Sequence, residues 1–195
     1  MIQDLQNAVL SGRPITRDEA AILEEAPLDL LCAAADEIRK RFCGIGFDLC
    51  SIVNGKSGRC SEDCKFCAQS SRYAAYAEVY PLLDVDTIVR AAAQNAKAGA
   101  LRFSIVTSGR RPSKSEVEAL CERVRAVRKE VGIAVCVSIG LADEADFRAL
   151  YTAGASRAHC NLEASAAFFP KICSTHTFAD KLAAIDAARR AGLTV

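Results

Sequence analysis

The sequence predicts an α/β protein with a parallel sheet, built as the first half of a (β/α) barrel behind an N-terminal helical cap. Three observations predict it. From residue 47 onward, short apolar runs alternate with amphipathic helical stretches, and that alternation is the pattern of βαβ units. The links from each helix to the next strand are only a few residues, which implies parallel strands joined by right-handed crossovers. The last residues, Leu193-Thr194-Val195, read as a strand just starting, so the barrel is expected to be cut at its fifth strand. A doubly wound open sheet is the competing architecture.

Each element has its own signal. Thr16-Arg17-Asp18-Glu19 is a capping box opening a short helix to about Glu25. A second helix, Leu28 to Phe42, carries Leu28, Leu31, Ala35, Ile38 and Phe42 on one face. Residues 1–45 are therefore expected to form the cap and 46–195 the barrel domain. Phe47 to Val53 reads as the first strand. Asp84 caps a helix that Gly99 stops, Leu101 to Thr107 is a strand, and Ser113 with Glu116 boxes a helix to Val131. Ala134 to Ile139 is a strand, Asp143 to Ala153 a helix ended by Gly154, Arg157 to Leu162 a strand, and Phe178 to Ala191 a helix. Between Val53 and Asp84 no element is legible. A loop of that length in a compact domain is usually functional, and it leaves the carboxyl end of the first strand, the edge where such folds build active sites.

Composition narrows the function classes. A formal net charge of +1 over 195 residues argues against an electrostatic nucleic-acid or membrane binder. The N-terminus has neither the basic nor the apolar region of a secretory signal, and no run reaches the length of a membrane span. Ten cysteines without an export signal point to a reducing compartment, the cytosol, where clustered thiols bind metal or do chemistry. Cys32, Cys43, Cys50, Cys121 and Cys173 share no site spacing and are assigned to packing. Gly55-Lys56-Ser57-Gly58 lacks the upstream glycine of a P-loop, so these glycines are expected to turn the loop backbone.

Within the long loop, Arg59 to Tyr73 reads RCSEDCKFCAQSSRY and places Cys60, Cys64 and Cys67 at C-x3-C-x2-C spacing. A structural zinc site wants a fourth ligand, for which Cys50 or a histidine could serve. A ferredoxin run fills every iron corner with cysteine. Three thiolates on a 4Fe–4S cluster instead leave one iron free to take a small molecule.

C-x3-C-x-aromatic-C, with Phe66 as the aromatic, is the signature of the radical S-adenosylmethionine (SAM) superfamily. The wider stretch from Asn54 to Tyr73 resembles the cluster loop of the biotin synthase family. The resemblance continues through Arg102-Phe103, Val135-Cys136, Cys160-Asn161-Leu162-Glu163 and Phe168 to Leu182. It implies a (β/α)8 barrel of the TIM type, of which this chain would cover roughly the first half. It also implies a radical SAM sulfurtransferase that converts dethiobiotin to biotin, the last step of biotin biosynthesis. A SAM-bound 4Fe–4S cluster would generate a hydrogen-abstracting radical, and an auxiliary iron–sulfur cluster, 2Fe–2S or a variant, would donate the sulfur. The alternatives are another radical SAM cofactor-maturation enzyme and a non-catalytic metal-binding module.

Residue by residue, the resemblance makes Cys60, Cys64 and Cys67 the ligands of the SAM cluster and Cys136 a ligand of the auxiliary one. Ser104 stands where the better-known branch has a cysteine, and Cys160 is a candidate replacement. Asn161 would sit between SAM and the ureido ring, Glu163 would meet the ribose hydroxyls, Phe66 would flank the cofactor and His159 the substrate. Strand alternation would point His159, Asn161 and Glu163 to one side. His176 is left out as a surface-loop residue. The family implies a homodimer and an electron donor such as flavodoxin or ferredoxin.

Overall fold

A computed structural model describes residues 1–195. The chain divides into two compact units, Met1–Phe47 and Asp48–Val195. The first is helical, with α1 at Ile2–Leu10, α2 at Arg17–Ile22 running into a 3-10 turn at Leu23–Glu25, and α3 at Leu28–Cys43. The Thr16–Glu19 capping box is present, and Arg13 grips the Glu19 carboxylate with two hydrogen bonds of 3.0 and 2.9 Å. Leu5 and Val9 of α1 face Leu31, Ala34 and Ile38 of α3 across an apolar seam. The helix α1 was not expected from the sequence. The apolar face of α3 also differs from the expected one: Leu28 and Phe42 are exposed, and Ala34 is the buried residue.

In the second unit four strands run parallel, in the order β1-β2-β3-β4. They are β1 Leu49–Lys56, β2 Ala100–Thr107, β3 Ala134–Ser138 and β4 Ala155–Ala158. The connecting helices are α4 Val85–Lys97, α5 Lys114–Glu130 and α6 Glu144–Ala153; the short α7 Phe169–Ile172 and then α8 Phe178–Arg190 follow β4. Every crossover steps one place in the same direction. A doubly wound sheet reverses at a switch point; this one does not, so it is the singly wound arrangement of a barrel. Thr194 extends the series, pairing in parallel with Arg157 and exchanging backbone hydrogen bonds with Ser156 and Ala158.

Alternation along the strands separates two faces. Phe103 and Ile105 of β2 and Val135 and Val137 of β3 are fully buried in one core with Ile88, Leu120, Val124, Phe147 and Leu150 from the helices. The other face carries a rung of cross-strand neighbours, Ile52, Ser104, Cys136 and Arg157. Gly154 closes α6 at φ 111°, a left-handed conformation that favours glycine.

Two strand boundaries depart from expectation. The strand expected at 47–53 runs Leu49–Lys56, because its ladder with β2 continues through Asn54 and Lys56, while Phe47 stays exposed. The strand expected at 157–162 is Ala155–Ala158. After His159 donates its amide to the Val137 carbonyl, the backbone leaves the ladder and reaches φ 67° at Glu163. Apolar runs mark burial, whereas hydrogen-bond ladders set strand ends.

Candidate functional site

The cysteine loop leaves the carboxyl end of β1 and is fixed by its own backbone. The Cys60 amide donates to the Gln69 carbonyl, Ser71 to Cys60, and Cys67 to Cys64 at 3.0 Å. Gln69 Oε1 accepts from Ser57 Oγ, and Ser108 at the end of β2 donates to the Gly58 carbonyl at 2.7 Å. Gly58 has φ 75°, and a Cβ there would lie 2.6 Å from Val79, so the turn requires glycine. Lys56 of the GKS stretch is committed to Glu116 at 2.5 Å, which agrees with a backbone-turning role for that segment rather than a phosphate cradle.

A second segment, residues 172–176, is strapped across the loop. The Lys65 amide donates to the Ile172 carbonyl at 3.0 Å. Asp63 accepts from the Ser174 amide and hydroxyl and from the Thr175 amide. These donors, the Ser174 hydroxyl above all, hold its carboxyl far below the usual aspartate range. Glu62 is buried and accepts from Thr175 at 2.8 Å, and its Oε2 stands 2.6 Å from His176 Nδ1. Burial pushes the Glu62 carboxyl up, but Thr175, His176 and Arg110 outweigh it and hold it below the ordinary value.

His176, expected on a surface loop, is buried here. Cys173, expected in packing, sits in this polar network with its Sγ 3.8 Å from Cys64 Sγ. Burial, followed by the neighbouring Cys173 and Cys67 sulfurs, pushes the Cys64 thiol up to about 12. Cysteine two residues before threonine and three before histidine was the available signal, and 109 residues separate Cys64 from Cys173.

The other expected residues gather on the inner face of the sheet. A cleft of about 370 Å³ is lined by Cys50, Ser104, Cys136, His159, Cys160 and Asn161, together with Arg102 and Arg157. Ser104 Oγ is buried without a hydrogen-bond partner. Burial pushes the Cys136 thiol up, while Arg157 and Arg102 pull it the other way; burial does the same to Cys160. His159 Nε2 and Asn161 Oδ1 meet at 3.0 Å. They lie beyond β4, so strand alternation is not what brings them together. Glu163 lines an adjoining pocket with His159, Cys160, Asn161 and Lys181.

Phe66 is exposed, as are Cys32 and Cys43, which packing does not explain; Cys121 is buried as expected. Cys50, the candidate fourth ligand for the triplet, lies in the sheet cleft with Cys136 instead.

A singly wound parallel barrel segment with a cysteine loop at the carboxyl end of its first strand defines a class of protein. The chain belongs to the Radical SAM superfamily, whose profile matches residues 56–195. Among curated relatives it is 56% identical over 195 residues to "Biotin synthase 2" of Corynebacterium diphtheriae, covering 100% of this chain and 59% of that protein. It is 46% identical over 194 residues to the biotin synthase of Brachyspira hyodysenteriae, covering 100% of this chain and 58% of that one. The chain thus spans somewhat over half the length of these relatives. Several solved structures share the fold. Methylornithine synthase matches with a TM-score of 0.79 at 21% identity, over 97% of this chain and 56% of its own. The [FeFe]-hydrogenase maturase HydG matches with a TM-score of 0.80 at 17% identity, over 98% and 44%.

Proposed function

We propose that this chain belongs to a biotin synthase, which inserts sulfur into dethiobiotin to form biotin. The observation that carries the reading is the triplet Cys60, Cys64 and Cys67, held on a backbone-stitched loop at the carboxyl end of β1. The chain's residues fit a 4Fe–4S cluster: three thiols at C-x3-C-x2-C spacing on one loop, with the Cys67 amide turned back onto the Cys64 carbonyl. When bound, the cluster and SAM supply a one-electron cleavage that yields a radical able to take hydrogen from an unactivated carbon.

The remaining roles belong to this chain's own side chains. Asn161, oriented by His159 at 3.0 Å, contacts SAM and the ureido ring of the substrate. His159 lines the substrate side, Glu163 accepts from the ribose hydroxyls, and Phe66 covers the cofactor's edge. Cys136 and Ser104 hold the auxiliary iron–sulfur cluster, 2Fe–2S or a variant, with Cys160 as the alternative ligand on the same cleft. Ser104 Oγ supports this directly, because a buried hydroxyl without a partner costs stability unless something ligates it. Arg102 and Arg157 offset the charge of an anionic, thiolate-bound cluster.

The same proposal includes an electron donor of the flavodoxin or ferredoxin kind, a homodimer and a cytosolic setting. No helix of the structure is long and apolar enough to cross a membrane. The test is anaerobic turnover of dethiobiotin, with SAM and a reductant, by this chain as part of a complete barrel. Biotin should form, and Cys64→Ser should abolish it; the 195-residue chain alone should turn over very little. Conversion of a different substrate, with none of dethiobiotin, would assign the chain to another radical SAM enzyme.

A further inference from the structure

Cys173, His176 and Glu62 have no role in the proposed chemistry, yet they form a buried polar cluster in the second unit. The ligand atoms of Cys64, Cys173 and His176 all lie within 4.8 Å of one another. We infer that, when the iron–sulfur cluster is absent, these three residues hold a single divalent ion of the zinc class.

The distances carry the argument. Two thiolates on one tetrahedral zinc, with Zn–S bonds of about 2.3 Å, stand about 3.8 Å apart, and a thiolate and an imidazole nitrogen about 3.5 Å apart. Cys64 Sγ and Cys173 Sγ are 3.8 Å apart, and His176 presents Nδ1 and Nε2 to Cys173 at 3.2 and 3.9 Å. A cubane cluster instead gives each thiolate its own iron, so two ligands of one cluster do not approach in this way.

Nδ1 is the ring nitrogen nearer Cys173 Sγ, at 3.2 Å against 3.9 Å for Nε2, so Nδ1 is the ligand. Glu62 Oε2 stands 2.6 Å from the same nitrogen and turns onto the ion as its fourth ligand. Arg110 stands 3.7 Å from Glu62 and offsets the carboxylate, while two thiolates neutralise a divalent ion. Phe169 meets the His176 ring edge-on at 5.5 Å and shields it from water.

Cys64 serves both occupants, so the zinc-loaded and cluster-loaded forms exclude each other; only this exclusion rests on the proposed cluster. The site would protect the apo loop and would have to be vacated before a cluster is built.

The test uses cobalt(II) as a spectroscopic stand-in for zinc, titrated into reduced, cluster-free protein. Thiolate-to-cobalt charge transfer and tetrahedral visible bands should saturate at one ion per chain. Cys173→Ala and His176→Gln should each weaken binding at least about tenfold, as loss of a ligand or its support does, and Cys60→Ser should leave it unchanged. Iron–sulfide reconstitution should show the converse: Cys60→Ser loses the cluster, while Cys173→Ala and His176→Gln retain it and so report that both fold. Zinc added first should suppress reconstitution in the unsubstituted protein but not in Cys173→Ala. Cobalt bands that survive both the Cys173 and His176 substitutions, or that require Cys60, would overturn the inference. Failure of the unsubstituted protein to build any cluster would sink the proposed function and leave the cobalt result standing.

Discussion

Ser104 and Cys136 are cross-strand partners on the inner face of the sheet, and Ser104 Oγ lies buried beside that neighbour with nothing to bond to. Parallel strands about 4.8 Å apart bring two such side chains within reach of one shared ligand. An apolar residue would serve better at Ser104 if nothing bound there. Ser104→Ala should therefore leave the cluster-free protein unchanged or up to about 1 kcal/mol more stable, while iron and sulfide at the auxiliary site fall. Cys136→Ala should remove the auxiliary iron and spare the SAM cluster. Mössbauer spectra and iron counts on both variants check this; an unchanged auxiliary signal in both would remove these residues from the ligand set.

Asp63 fastens the 172–176 segment to the cysteine loop. Its folded-state pKa lies below the ordinary aspartate value of about 3.9. The attachment is therefore complete above that value and is lost only as pH falls through the lower folded one. Asp63→Asn should loosen the segment at neutral pH, read as faster amide exchange at Ser174 and Thr175, and the difference from the parent should vanish as pH falls through the folded pKa. A carboxyl titration by NMR should place the folded pKa below that of an exposed aspartate.

Much of this arrangement was legible in the sequence, and the failures have physical reasons. The cysteine triplet is local, so spacing alone revealed it. The capping boxes at Thr16 and Ser113 are four-residue signals, and both form. The fourth strand was read too long because Asn161-Leu162 continues an alternating pattern after the backbone has left the ladder. Ser104 and Cys136 could be set side by side only once the register was known. Cys173 and His176 were missed because their partners, Cys64 and Glu62, are more than a hundred residues away. A C-x2-H tripod finished by a distant cysteine is visible only in three dimensions.

Glu116 does two things at once: it completes the Ser113 capping box and pairs with Lys56 at 2.5 Å, joining the end of β1 to the start of α5. The Lys56 hydrogen bond, then the Ser113 amide, outweigh burial and hold its carboxyl below the ordinary glutamate value. Its contribution is thus full above about pH 4.3 and disappears as pH falls through the lower folded pKa. Glu116→Ala should cost about 1 kcal/mol at pH 7, with a smaller difference well into acid. Urea unfolding at both pH values measures it.

Gly140 has φ 73°, and a Cβ there would collide with the Arg110 carbonyl oxygen. Arg110 in turn donates to the Thr175 carbonyl at 2.7 Å. Gly140→Ala should displace Arg110 and disorder the strap over the cysteine loop, lowering cluster yield without touching a thiol. Iron per chain after reconstitution reads the effect, and an undiminished yield would show that the strap is dispensable.

The central claim is that Cys60, Cys64 and Cys67 hold a 4Fe–4S cluster with one iron open to SAM. Electron paramagnetic resonance of anaerobically reconstituted, reduced protein, with and without SAM, tests it most directly. A reduced 4Fe–4S signal that shifts when SAM is added, and that vanishes in Cys64→Ser, is the predicted result. A signal indifferent to SAM, or zinc held by the triplet with no cluster at all, would contradict it.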